Sequence, residues 1–188
     1  MSLQPALAND ERAAPRWSGR LDDFLPAATP SAADWLREPG LLTERLRACC
    51  AGQTGLSIVS EMEAPLGGAD AALLQAAGSA AFVREIELTC DGRPWVFAQT
   101  LIPQATLARQ RWLSALGRAA LGERLAALPS LERGPLEYAR LLPGDRLYHR
   151  ALRDRRDPPP ALWARRSWFA IDGDRLLVQE VFLPESHS

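Results

Sequence analysis

The sequence predicts one antiparallel α+β domain of six strands with helices packed between them. Three observations carry this: alternating runs come in pairs joined at Asp-Gly turns, helical runs fall between those pairs rather than alternating singly with strands, and the composition is that of one globular unit. The chain has 188 residues, 47% apolar and 24% charged, with a formal charge of −1. That length supports one core and would cramp two.

Residues 1–30 are rich in Ala, Pro and charge, with Pro5, Pro15, Pro26 and Pro30 breaking any periodicity. They read as a poorly structured N-terminal arm, with Trp17, Leu21, Phe24 and Leu25 available to pin it to a domain over 31–188. From Ser31, read as a capping serine, Trp35, Leu42 and Leu46 keep helical spacing across a break at Pro39-Gly40, so two short helices are expected. LSIVSEME, 56–63, alternates as a strand does and is followed by the loop APLGGAD and a short alanine-rich helix near 70–78. FVREIELTC, Asp91-Gly92 and RPWVFAQTLI make a hairpin. After Pro103, residues 104–128 read as two helices meeting at a glycine-bearing corner, Gly117 and Gly122. PLEYARLL, 135–142, is a strand, and RRSWFAI, Asp172-Gly173-Asp174 and RLLVQEVFLP make the closing hairpin.

Composition removes whole classes of chemistry. All 22 basic residues are arginine, so neither a lysine Schiff base nor a P-loop lysine is available. No G-x-G-x-x-G occurs, and Gly67-Gly68 reads as a turn. The histidines are His149 and His187, too few for a three-histidine zinc site, and His149 reads as a polar residue beside arginines. Cys49, Cys50 and Cys90 offer no C-x-x-C pair, which suggests reduced thiols and a cytoplasmic protein. No apolar run approaches the roughly 20 residues of a membrane span, and the first residues lack the apolar core of a signal peptide. The balanced charge gives no field for nucleic acid. Arg146, Arg150, Arg153, Arg155, Arg156, Arg165 and Arg166 are interrupted by Asp145, Asp154 and Asp157, so 146–163 reads as a solvated, partly flexible segment. A monomer without stable membrane insertion, cofactor or metal is expected.

Two charges fall on the wrong face of their strands. In FVREIELTC, Arg84 points with Phe82, Ile86, Leu88 and Cys90; in DRLLVQEVFL, Glu180 points with Leu176, Val178 and Phe182. A buried unpaired charge costs several kcal/mol, so each needs a partner: the other one, in a plain salt bridge, or a polar ligand in a cavity. In the second case arginine offers a planar fork for a carboxylate, and a desolvated glutamate is suited to proton exchange or positioning.

VREIELTCDGRPWVFAQTLIP, LGRAALGERL and LWARRSWFAIDGDRLLVQEVFLP, in this order and with DWL at 34–36 as first anchor, resemble chorismate lyase. That family removes pyruvate from chorismate to give 4-hydroxybenzoate, the aromatic precursor of ubiquinone. The resemblance implies a six-stranded sheet with ligand enclosed beneath helix-turn-helix flaps, and no metal or cofactor. It implies that Arg84 and Glu180 are ligand residues, that Leu121 contacts ligand through its backbone, and that Leu42 stands where well-known members have a flap methionine. Gln99 stands where many members have an arginine, and if that arginine holds a second carboxylate, binding of a dianion is weakened. The rival is a non-catalytic ligand-sensing module of the same fold, as in bacterial transcription regulators. Thirty Ala- and Pro-rich upstream residues cannot form the basic winged helix-turn-helix such a regulator carries.

Overall fold

In the computed structural model, which describes residues 14–153 and 155–186, Thr29 rather than Ser31 caps the first helix, α1 (Pro30–Arg37). Thr29 Oγ1 accepts from Ala32 N, and Pro30 takes the first helical position, where its missing N–H costs nothing. The Pro39-Gly40 break separates α1 from α2 (Leu42–Cys49), as the sequence predicts. The remaining helices are α3 (Gly68–Leu73), α4 (Gln104–Arg109), α5 (Leu121–Ala126) and α6 (Arg146–Leu152).

The strands are β1 (Thr54–Pro65), β2 (Ala80–Cys90), β3 (Arg93–Pro103), β4 (Leu131–Arg133), β5 (Glu137–Leu141), β6 (Leu162–Ile171) and β7 (Asp174–Phe182). They form one antiparallel sheet in the order β1-β2-β3-β7-β6-β4, with β5 also paired to β6. The six expected strands are present; the seventh, β4, is three residues long, too short for alternation to reveal it. Both predicted hairpins turn through two left-handed residues, Asp91 (φ 48°) with Gly92 (φ 74°) and Asp172 (φ 53°) with Gly173 (φ 86°). That geometry matches the right-handed twist of the flanking strands.

Alternation divides the core in two. Ile86, Leu88, Ala98 and Phe182 face Trp35, Leu36, Leu42 and Leu46 of α1 and α2. On the opposite face Phe97, Ala164 and Val181 meet Leu147, Tyr148, Ala151 and Leu152 of α6. The expected solvated segment at 146–163 is therefore corrected: it opens as a helix whose four apolar residues form one buried stripe, outvoted in composition by its arginines. Arg165 and Arg166 are strand residues, 1% and 5% exposed.

Cys50 and Cys90 are disulfide-bonded, which corrects the expectation of reduced thiols; the bond ties the end of α2 to the end of β2 across 40 residues of sequence. Chain spacing cannot report that approach. Residues 17–28 of the expected N-terminal arm lie on the body: Ser18 pairs with Tyr138, and Leu21 and Phe24 join the α1 core. His187 lies outside the described residues. Among the described residues no helix is long and apolar enough to cross a membrane.

Candidate active site

Residues of even number on β2, β3 and β7 and of odd number on β6 share one face of the sheet, and over it the turn leading into α2 (39–43) and helix α5 with the residue before it (120–126) partly cover a cavity of about 320 Å³. Its volume sits at the small end of ligand sites, which run roughly 300–1,000 Å³. Arg84, Glu180, Leu121 and Leu42 all line it. Four positions named from sequence, on four separate elements, thus meet in one place.

Arg84 is 1% exposed. Its Nε donates to Glu61 Oε1 at 3.1 Å, from the position directly opposite on β1, and its Nη2 donates to Gly117 O at 2.6 Å and Ala119 O at 3.4 Å. Gly117 holds φ +53°, where a side chain would be strained, and this corner turns both carbonyls toward the guanidinium. Two residues beyond Ala119, α5 begins at Leu121, so its first-turn amides, which have no intrahelical acceptors, follow directly on the segment that Arg84 bonds. Leu42 at the start of α2 and Leu121 are 4% and 6% exposed and form an apolar roof. Gly122 lets the two turns close: a Cβ there would stand 3.2 Å from Leu41 Cδ2.

Glu180 pairs with Arg165, Nε to Oε2 at 2.7 Å, and not with Arg84. Arg165 Nη1 also donates to the carbonyl of Glu38, so the turn after α1 is bonded to the same guanidinium. Register places Arg84, Thr100, Val178 and Ser167 in one row across the sheet and Ile86, Ala98, Glu180 and Arg165 in the next. Two strand spacings across and two residues along put the Cα atoms of Arg84 and Glu180 about 12 Å apart, wide enough for a small ring between their heads.

Gln99 is not in this cavity. The same alternation turns it to the opposite face, where Nε2 donates to Glu85 Oε1 at 2.8 Å. Glu85 is fully buried and ion-paired with Arg150. The condition under which Gln99 would weaken binding of a dianion is therefore not met by this side chain, because its neighbours Ala98 and Thr100 take the cavity face of β3. Arg165, Ser167 and Arg133 line the cavity and were missed as site residues. The sequence carries a signal for Arg165, which alternates with Ser167, Phe169 and Ile171 and so is an inward charge of the same kind as Arg84 and Glu180.

Arg84, Arg133, Arg165 and Glu180 are the charged residues lining the cavity, leaving two positive charges without a lining anion. At its rim, Gly40 N donates to Glu38 and holds that carboxyl below the ordinary glutamate value, with Arg45 adding to the effect. Arg47 does the same for Glu123 across the gap between α2 and α5, at 2.6 Å. Behind the sheet, burial pushes Asp70 up despite its ion pair with Arg166. His149 sits on α6, its ring bonded to the carbonyl of Pro143, away from the cavity. Among the described residues no group of three or more His, Cys, Asp or Glu is placed to hold a metal ion.

The profile of one protein family, Chorismate lyase, matches residues 17–188. A probable chorismate pyruvate-lyase of Azoarcus sp. (strain BH72) is 41% identical over 157 residues, covering 80% of this chain and 82% of that one. One from Nitrosospira multiformis is 35% identical over 173 residues, 89% and 96% of the two chains. Among solved structures, PhnF from Mycobacterium smegmatis superposes with a TM-score of 0.55 at 19% identity, over 81% of this chain and 67% of that one. The C-terminal domain of the histidine utilization repressor from Pseudomonas syringae pv. tomato gives 0.51 at 12% identity, over 72% and 95%. These two show a shared fold.

Proposed function

The chain belongs to the chorismate lyase family, and from that premise we propose that this cavity is where it eliminates pyruvate from chorismate to leave 4-hydroxybenzoate. The observation that carries the site assignment is that Arg84 and Glu180 line one partly open cavity while each is bonded to a different partner. Neither exists to neutralise the other.

Chorismate carries a ring carboxylate, a hydroxyl at C4 and an enolpyruvyl ether at C3. Its conversion breaks the C4–H and C3–O bonds, and aromatisation supplies much of the driving force. The protein therefore has to hold the ring in the reactive conformer and stabilise charge on the departing ether oxygen. Arg84 Nη1, which makes no hydrogen bond among the described residues, receives the ring carboxylate with the first amides of α5 beside it. Glu180 Oε1 accepts from the C4 hydroxyl while Arg165 fixes Oε2. Leu42 and Leu121 exclude water above the ring, which strengthens each of these contacts. The C4 hydrogen passes either to Glu180 or straight to the enolpyruvyl methylene through a six-membered transition state, and the Glu180→Gln variant separates the two routes.

We propose further that the reaction is cofactor-independent and that the enzyme is a monomer; the cytoplasmic placement expected from reduced thiols loses that support with the Cys50–Cys90 bond. The test is to incubate the purified protein with chorismate in the presence of a chelator and follow both products. Equal release of 4-hydroxybenzoate and pyruvate, unaffected by the chelator, is expected. Tight chorismate binding without turnover would return the chain to the class of ligand-sensing modules.

A further inference from the structure

Of the three guanidinium groups that line the cavity, the ring carboxylate uses one. Arg165 is committed on two sides, to Glu180 and to the Glu38 carbonyl. Arg133 is different. It ends β4, opposite Phe169 in register, and its guanidinium lies over that ring at 5.4 Å while Nη1 donates to Pro39 O at 3.0 Å. Those contacts pin the group at the mouth of the cavity between β4 and the turn that precedes α2, and leave its other nitrogens without a partner among the described residues. Although much of the residue is open to solvent, desolvation of the guanidinium and then the nearby Arg165 charge pull its pKa below the ordinary arginine value, with Glu180 offsetting them in part. The Glu180 end of the cavity thus holds two cations to one anion.

A monocarboxylate leaves that imbalance in place, whereas a dicarboxylate removes it. We propose that Arg133 is a substrate-binding residue that receives the second carboxylate, the one on the three-carbon ether arm, with Arg165 behind it as a positioning residue that keeps Glu180 in place. The inference rests on the chorismate reading of the cavity and deepens it. With the ring carboxylate on Arg84 and the C4 hydroxyl on Glu180, the C3 ether arm leaves the ring on the Glu180 side, where Arg133 stands. Guanidinium suits this task because its planar fork meets a carboxylate at two points. The arm is the part of the molecule that departs, so the contact is made with substrate and is absent with 4-hydroxybenzoate. Arg133 therefore discriminates the molecule that enters from the aromatic product that remains.

The experiment is calorimetric binding of two unreactive probes to the wild type and to Arg133→Gln. One is 4-hydroxybenzoate; the other is 3-(carboxymethoxy)-4-hydroxybenzoate, which adds a second carboxylate on an ether at the same ring position. Arg133→Gln should weaken the dicarboxylate by about tenfold or more, as loss of a charge-assisted pair does, while 4-hydroxybenzoate affinity stays within about twofold. In turnover the loss should fall on KM for chorismate more than on kcat, and Arg133→Lys should recover part of both. Equal weakening of the two probes would make Arg133 a strut for the Pro39 turn and overturn the proposal, as would no change in either. Failure of the wild type to turn over chorismate would sink the lyase reading by itself, while the contrast between the probes would still report on the second carboxylate site.

Discussion

Arg84 and Glu180 face the same cavity from strands two places apart in the sheet, and each is held by a partner other than the other: Arg84 by Glu61 and the carbonyls of Gly117 and Ala119, Glu180 by Arg165. A simple internal salt bridge, the structural alternative for two inward charges, is absent. Each side chain is oriented in advance and keeps polar atoms for a ligand. Such preorganisation lets a site act electrostatically without rearranging during reaction.

Arg84→Ala should lower kcat/KM for chorismate by about 10²- to 10³-fold, the usual cost of removing one oriented donor. Affinity for 4-hydroxybenzoate should fall with it. Loss of bonds to two carbonyls and to Glu61, which is partly exposed, should reduce stability by about 2 kcal/mol and leave the near-ultraviolet circular dichroism folded. Unchanged product affinity would remove Arg84 from the site.

Glu180→Gln preserves size and reach but removes the charge and the acidity. Turnover should collapse if the C4 hydrogen passes to Glu180, and fall only several-fold if it moves directly to the departing methylene; product binding should be retained in both cases. Because the partner Arg165 is 1% exposed, the variant should also be less stable, by about 3 kcal/mol, the low end for a broken buried pair since Glu180 itself is 20% exposed. A melting curve beside single-turnover kinetics checks both effects. Lower stability with normal turnover per folded molecule would assign Glu180 to the scaffold.

Gln99→Ala removes one hydrogen bond to Glu85 behind the sheet and touches nothing in the cavity. It should cost roughly 1 kcal/mol in urea unfolding and leave chorismate kinetics unchanged. A raised KM would mean that the two faces of the sheet communicate through β3.

Acid should loosen the closed turns before it unfolds the sheet. Glu38 and Glu123 are held below the ordinary glutamate value of 4.5, so their contribution is fully present above about that pH and is lost as pH falls through their lowered values. Asp174, lowered chiefly by its bond to Arg109, acts in the same direction, whereas Asp70, raised by burial, gains stability on protonation and opposes them. Product affinity and melting temperature measured between about pH 6 and pH 3 should therefore both decline, affinity first. A melting temperature that rises on acidification would show Asp70 to dominate.

The hairpins, the two helices before β1 and the facing of Arg84 and Glu180 were legible in the sequence because each depends on neighbours within one element. A period of two residues and a turn dipeptide suffice to say which side chains share a face. The same count, applied to RRSWFAI and VFAQTLIP, places Arg165 with the cavity and Gln99 against it. Family resemblance added Leu121 and Leu42, which no periodicity marks as ligand positions.

What the sequence determined by itself was thus the fold class, the faces of the strands and the exclusion of lysine chemistry, all of which are local or compositional. The tertiary structure alone decided which charge meets which: that Arg84 bonds the Gly117 corner, that Glu180 belongs to Arg165, that Cys50 reaches Cys90, and that Arg133 stands at the mouth. The physical reason is distance. Alternation fixes a side chain's direction relative to its own strand, but a partner is chosen by strand order, by register and by where a loop returns, and these are set by packing of the whole chain.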